Sequence, residues 1–403
     1  MASINGSQFT AGAGGNPVNV QITTDGTLPP PVPGTFNLEV YTGGNPPSSP
    51  APGYQGLLID YGGQYANLIA GAFELTDTGA GGSYIQASGD GQSVVGAVGD
   101  VILTQGTGDS VTGDGNTMLD MGGGSSTFNM ATGNNTVVDL SGANDTILGG
   151  SGNSFAYTGG TGTHYTGGTG NDTVITGATS TGDSITAGSG NDLLVSLGDA
   201  NKIAAGGGSD TVDVVANNDT LTGGTGSLSA IVDGTGNAVT GGQGPDTVTI
   251  VGSGNSFQGG AGADTVNVYG NSNTISGGGP GPDTFNIYGN NNSLQIGSGA
   301  EQATVFGASD SVTAGAGNAS IDILAGSTNA TFADNSAATY ADTLTGFNNA
   351  TGDTIKLDSP NTTAFALAHQ QSVNGGADTL VTLNDGSTIL LKGIGSVTAG
   401  FFS

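Results

Sequence analysis

The 403-residue chain carries 32 acidic residues against three lysines (Lys202, Lys356 and Lys392) and no arginine. Its formal charge is -29, although only 9% of its residues are charged. Such a chain repels nucleic acid and anionic membranes and attracts cations, so no nucleic-acid partner is expected. Cysteine is absent, which excludes disulfides, thiolate metal sites and a cysteine nucleophile. No run approaches the roughly 20 apolar residues of a membrane-spanning helix, so no membrane insertion is expected.

The opening residues, MASINGSQFTAGAGG, lack the basic start and apolar core of a cleavable signal peptide, so export needs another route. Residues 1–70 contain two proline-rich segments, LPPPVPG (28–34) and NPPSSPAPG (45–53), which are unsuited to regular coils. The strand-like pieces FNLEVY (36–41) and GLLIDY (56–61) lie between and after them. This composition predicts an extended Pro-rich N-terminal arm with short strands, packed on its own chain or on a neighbour.

From residue 71 to 340 Asp and Asn recur in two interleaved columns, with Leu228 the one apolar member. The first runs Asn116, Asn135, Asn153, Asp172, Asp192, Asp210, Leu228, Asp246, Asp264 and Asp283. The second, about nine residues away, runs Asp145, Asp183, Asn201, Asp219, Asn237, Asn255, Asn273, Asn292 and Asp310. An apolar residue such as Val174, Val266, Ile275 or Leu294 follows two places after each. Within a column the spacing is 18 to 20 residues, most often 18, with one doubled step from Asp145 to Asp183. Two nine-residue units per circuit predict an all-β fold, a parallel β-solenoid (β-roll) of about 18 residues per coil. The 79 glycines argue against helix, each costing about 1 kcal/mol relative to alanine there. In tight turns they supply positive φ. Stacked coils then share a thin core that no single repeat could bury.

Residues 167–172 (GGTGND), 241–246 (GGQGPD), 259–264 (GGAGAD) and 278–283 (GGPGPD) fit GGxGxD, and 187–192 (AGSGND) and 205–210 (AGGGSD) miss only the first glycine. In these units the chain resembles the RTX family, the calcium-binding repeats of bacterial proteins secreted by type I systems. The resemblance covers residues 150–290 most strongly. It implies Ca²⁺ ions held between turns of adjacent coils by backbone carbonyls and by Asp172, Asp192, Asp210, Asp246, Asp264 and Asp283. Leu228, in GGTGSL (223–228), would interrupt that ladder. A Ca²⁺ ion takes six to eight oxygens, which converging glycine carbonyls and carboxylates can provide. Aspartate in a tight turn also serves local hydrogen bonds with no metal. The second column departs from the family pattern, and its asparagines are expected to stack through amide hydrogen bonds. Thr247, Thr265 and Thr284, with Thr249, Asn267 and Asn286 beside them, resemble the flat faces of ice-binding proteins. Leu193, Val195 and Asp213 break that array.

Residues 341–403 change rhythm. ADTLTGFNNATGDTIKLDSP is similar to the C-terminal region of RTX proteins, and Asp385-Gly386 suits a tight turn between VTL and TILL. Phe401-Phe402-Ser403 resembles the end of an uncleaved type I secretion signal; the segment also reads as a β-rich cap closing the solenoid.

No HExxH or GxSxG motif is present, and the two histidines sit in unrelated contexts. His164 is expected in a turn at a second-column position, and His369 in one short helical stretch. Without arginine the usual charge stabilisers of catalysis are missing, so no enzyme is expected. The resemblance and the solenoid together imply a secreted bacterial structural protein, extracellular or on the cell surface. It would self-assemble into a filament, surface layer or matrix, with calcium and type I secretion machinery as partners. The alternative is a monomeric adhesin or ice- or ligand-binding solenoid.

Overall fold

The computed structural model describes the chain except residues 1, 5–8, 13–17, 24, 42–46, 48, 61–63, 69–73, 78–81, 116, 117, 336 and 338. The chain is a parallel β-solenoid with two strands per coil of about 18 residues. It divides into two compact units, Met1–Ile203 and Ala204–Ser403.

In the first unit, one sheet is built from strands of about four residues. Tyr84–Ala87, Val101–Thr104, Met118–Met121, Thr136–Asp139, Phe155–Thr158, Thr173–Thr176 and Leu193–Ser196 pair in parallel and in register. A second sheet alternates with it along the chain, running through Ser93–Val95, Ser110–Asp114, Thr127–Thr132, Thr146–Leu148, His164–Thr166 and Ser184–Thr186. Strand alternation decides which residues go inside. In Thr173–Thr176, Val174 and Thr176 point in and Thr173 and Ile175 point out. The inward residues Ile102, Phe128, Val137, Ile147, Val174 and Ile185 form the core between the sheets.

The segment set apart in the sequence as the N-terminal arm carries the same spacing. Val18–Thr23, Phe36–Tyr41 and Gly56–Asp60 pair in parallel, Val18 opposite Phe36 and Leu38 opposite Gly56. Described residues between these strands are tied to their neighbours. The Tyr54 hydroxyl donates to Pro29 O at 2.9 Å, and Ala51 N donates to Glu39 Oε2 at 2.9 Å. The chain direction then reverses, since Gly56–Asp60 pairs antiparallel with Gln64–Leu68.

The second unit repeats the two-sheet plan. Ser209–Val215, Ser227–Asp233, Thr247–Ile250, Thr265–Tyr269, Thr284–Tyr288, Glu301–Phe306 and Ala319–Ile323 form one parallel sheet. Thr220–Gly224, Ala238–Thr240, Ser256–Gln258, Thr274–Ser276, Ser293–Gln295, Ser311–Thr313, Thr331–Ala333 and Thr354–Lys356 lie in the other. The glycine turns let coils stack at backbone contact: a Cβ on Gly260 would lie 1.6 Å from Gly242 O in the coil below. Only a residue without a side chain fits there.

The end of the chain closes this unit. Ala341–Thr345 pairs with Thr388–Leu391, which forms an antiparallel hairpin with Asp378–Thr382 around Asp385-Gly386, as the turn pair suggested. Gly386 takes φ +91°. His369 caps the C-terminus of the short helix Thr363–Ala368. Phe401 stacks on Phe347 at 5.9 Å, and Ser403 N donates to Ile355 O. Among the described residues no helix is long and apolar enough to cross a membrane.

Candidate functional site

Five of the first-column aspartates stand immediately before a strand, Asp210 is the second residue of Ser209–Val215, and all six are buried. Within each unit, strand register places one slot of this column per coil, stacked on the slot of the next coil. In the second unit Leu228 N donates to Asp246 Oδ1 at 2.8 Å, Asp246 N to Asp264 Oδ1 at 3.0 Å, and Asp264 N to Asp283 Oδ1 at 2.9 Å. In the first unit Ser154 N donates to Asp172 Oδ1 and Asp172 N to Asp192 Oδ1, at 2.8 and 2.6 Å. The second oxygens face the turns: Gly242 N donates to Asp246 Oδ2 and Gly260 N to Asp264 Oδ2. Asp210 is buried in the slot opposite Leu228.

The second column does the same with amides. Asp219 N, Asn237 N, Asn255 N, Asn273 N and Asn292 N donate in turn to Oδ1 of Asn237, Asn255, Asn273, Asn292 and Asp310. Each asparagine also donates its Nδ2 to a turn carbonyl, as from Asn273 to Gly252 O at 3.0 Å. Both edges are therefore ladders in which a side-chain oxygen caps an amide of the previous coil. Burial of such amides without an acceptor is costly, which explains why most of these slots hold Asp or Asn, whereas at Leu228 the paired strands themselves run through the slot.

Held this way, the aspartates serve the backbone of neighbouring coils. Their Oδ1 atoms accept from backbone amides, and turn carbonyls such as Gly242 O accept from the next coil's amides. Among the described residues no three acidic or histidine side chains gather around one point. The cost falls instead on the carboxylates. Burial pushes Asp172 and Asp246 above the usual carboxylate range and lifts Asp283 to about 6.

Several residues differ from the sequence assignment. Asn153 is not in the inner column: Ser154 fills that slot, because Phe155 pairs with Thr173 and sets the register. Asn153 sits one residue earlier, exposed, in a third ladder along the outside. There Asn153 N donates to Asn134 Oδ1, Asn171 N to Asn153 Oδ1, and Asn191 N to Asn171 Oδ1, at 3.0, 2.9 and 2.8 Å. Asn116 lies outside the described residues. His164 is not a turn residue but begins the strand His164–Thr166, exposed, and Thr163 holds the second-column slot. Sequence reasoning missed Glu301, which continues the first column 18 residues after Asp283. It is buried, with Oε2 accepting from Gly297 N at 2.9 Å. The coil spacing could have found it, whereas the motif could not. It also missed Tyr165, whose buried hydroxyl donates to Asp172 Oδ2 at 2.8 Å.

The outer faces of the longer sheet carry few charges. In the first unit Val138, Tyr157, Ile175 and Val195 form one outward row across four strands, with Leu193 41% exposed beside them. Their outward side chains include no acid, lysine or histidine. The fold thus defines a two-sheet parallel β-solenoid protein with buried Asp/Asn ladders and an apolar outer row. No protein-family model matches the chain, and no curated protein is significantly similar to it.

Proposed function

We propose that the protein is an extracellular structural building block whose solenoid associates with further copies of itself. The observation that carries this is the row Val138, Tyr157, Ile175 and Val195 on the outer sheet of the first unit. An uncharged apolar row on a chain of charge -29 is where like-charged copies can approach with least repulsion. The resemblance of the GGxGxD units and of residues 341–403 to RTX proteins supports export through a type I system to the outside of a bacterial cell.

Sedimentation of the purified chain against ionic strength tests it. Association beyond the 38.7 kDa monomer is expected, and it grows as salt screens the acidic surface. Ile175→Thr with Val195→Thr keeps β-branched strand residues while removing apolar contact, and should return the chain to monomer. A wild-type chain that stays monomeric at high concentration and salt would contradict the proposal.

A further inference from the structure

The outer asparagine ladder of the first unit borders a groove of about 530 Å³, lined by Asn134, Asn153, Asn171, Thr136, Phe155 and Thr173 among others. The groove has a local cause. Register sets Phe155 between Thr136 and Thr173 on the neighbouring strands, so one aromatic ring stands between two short side chains. Beside it the three amides are fixed in orientation. Asn134, Asn153 and Asn171 each turn Oδ1 to the N–H of the next coil. A backbone donor requires an oxygen there, so the exposed Nδ2 group of each amide is what remains. Among the described residues none of these three Nδ2 groups has a protein partner.

The groove therefore offers a row of neutral donors one coil apart, about 4.8 Å, with an aromatic surface and two hydroxyls alongside. From this juxtaposition we propose that the groove binds a neutral polysaccharide along the direction in which the coils stack. Its hydroxyl oxygens accept from the Nδ2 groups, and the apolar face of one sugar ring rests on Phe155. The ligand class follows from what the groove lacks. None of these side chains is charged, and the -29 of the whole chain disfavours polyanions. The strands beneath are paired on both sides, so no free sheet edge exists for a peptide to extend. This site goes beyond self-association and uses none of the residues Val138, Tyr157, Ile175 or Val195.

Calorimetric titration of the full chain with cellohexaose and chitohexaose, and with hexagalacturonate as the anionic counterpart, tests it. Binding of at least one neutral hexasaccharide is expected, with none of the uronate. Asn153→Asp keeps the oxygen that Asn171 N needs and replaces the donor by an acceptor. It should weaken binding about tenfold with an unchanged melting temperature. Phe155→Thr continues the threonine row and provides a second folded variant, with a similar loss. The proposal is overturned if neither neutral hexasaccharide binds at millimolar concentration or if the uronate binds better. It is equally overturned if both variants bind as wild type, or if an extended peptide takes the groove instead. Because neither substitution touches the apolar row, loss of sugar binding with self-association intact separates this site from the assembly surface.

Discussion

The backbone N–H of Asp264 donates to Oδ1 of Asp283, 19 residues on, at 2.9 Å, and on the other edge Asn273 N donates to Asn292 Oδ1 at the same distance. An acid and an amide thus do one job. The change from Asp to Asn between columns leaves the capping bond intact and alters what the second side-chain atom does: asparagine donates to a turn carbonyl, whereas aspartate must accept.

The first prediction concerns that exchange. Asp264→Ala leaves Asp246 N buried with no acceptor and should cost about 1–3 kcal/mol in denaturant unfolding. Asp264→Asn keeps the Oδ1 acceptor for Asp246 N but sets Nδ2 against Gly260 N, and should cost less than Asp264→Ala. Equal losses in both variants would remove the ladder from the stability of the coil.

Stability should rise as the solution is acidified toward pH 5. Burial raises Glu301 and Asp342 to about 7 and Asp283 and Asp310 to about 6. Between their ordinary values of 3.8 to 4.5 and about 7, the folded state holds protons that the unfolded chain has lost. The contribution is therefore fully present below that window and lost as pH rises through it. A melting temperature that falls between pH 5 and pH 8 is expected, with a shallower slope in Glu301→Gln. A flat profile would contradict the burial of these acids.

Glycines should divide by position. Gly260→Ala drives a Cβ onto Gly242 O at 1.6 Å and should cost about 3 kcal/mol or more, because backbone must move. Gly254→Ala has φ +70° but open space, and should cost only about 1–2 kcal/mol. Comparing their denaturation midpoints checks whether coil stacking or turn conformation sets the glycine content.

Much of the fold was legible because it follows from a period. The 18-residue spacing and the alternating inward residues, such as Val266 and Phe285, required only counting. Side-chain direction at the turns was less legible. GGxGxD resembles a calcium loop, yet Asp264 here points at Gly260 N and Asp246 N, which spacing alone cannot reveal. A one-residue choice between Asn153 and Ser154 decided inside from outside, because strand side chains alternate faces. The coils in residues 18–60 were hidden by the prolines between them, although Val18, Phe36 and the strand from Gly56 keep the period.

The terminal aromatic contact should close the second unit. Phe401→Ala removes the ring stacked on Phe347 and should cost about 1–2 kcal/mol. Hydrogen exchange at Ile355 and its neighbours in Thr354–Lys356 should quicken first, since Ser403 N bonds Ile355 O. Unchanged exchange there would mean the tail does not cap the sheet.

The most direct test of the ladder is thermal unfolding of the wild type and of the triple variant Asp246→Asn, Asp264→Asn, Asp283→Asn, each in excess chelator and in millimolar Ca²⁺. Circular dichroism and melting temperature should be the same in both solutions for both proteins, and the triple variant should be at least as stable as the wild type at pH 8. Loss of β-structure in chelator that calcium restores, and that the triple variant cannot recover, would contradict the account.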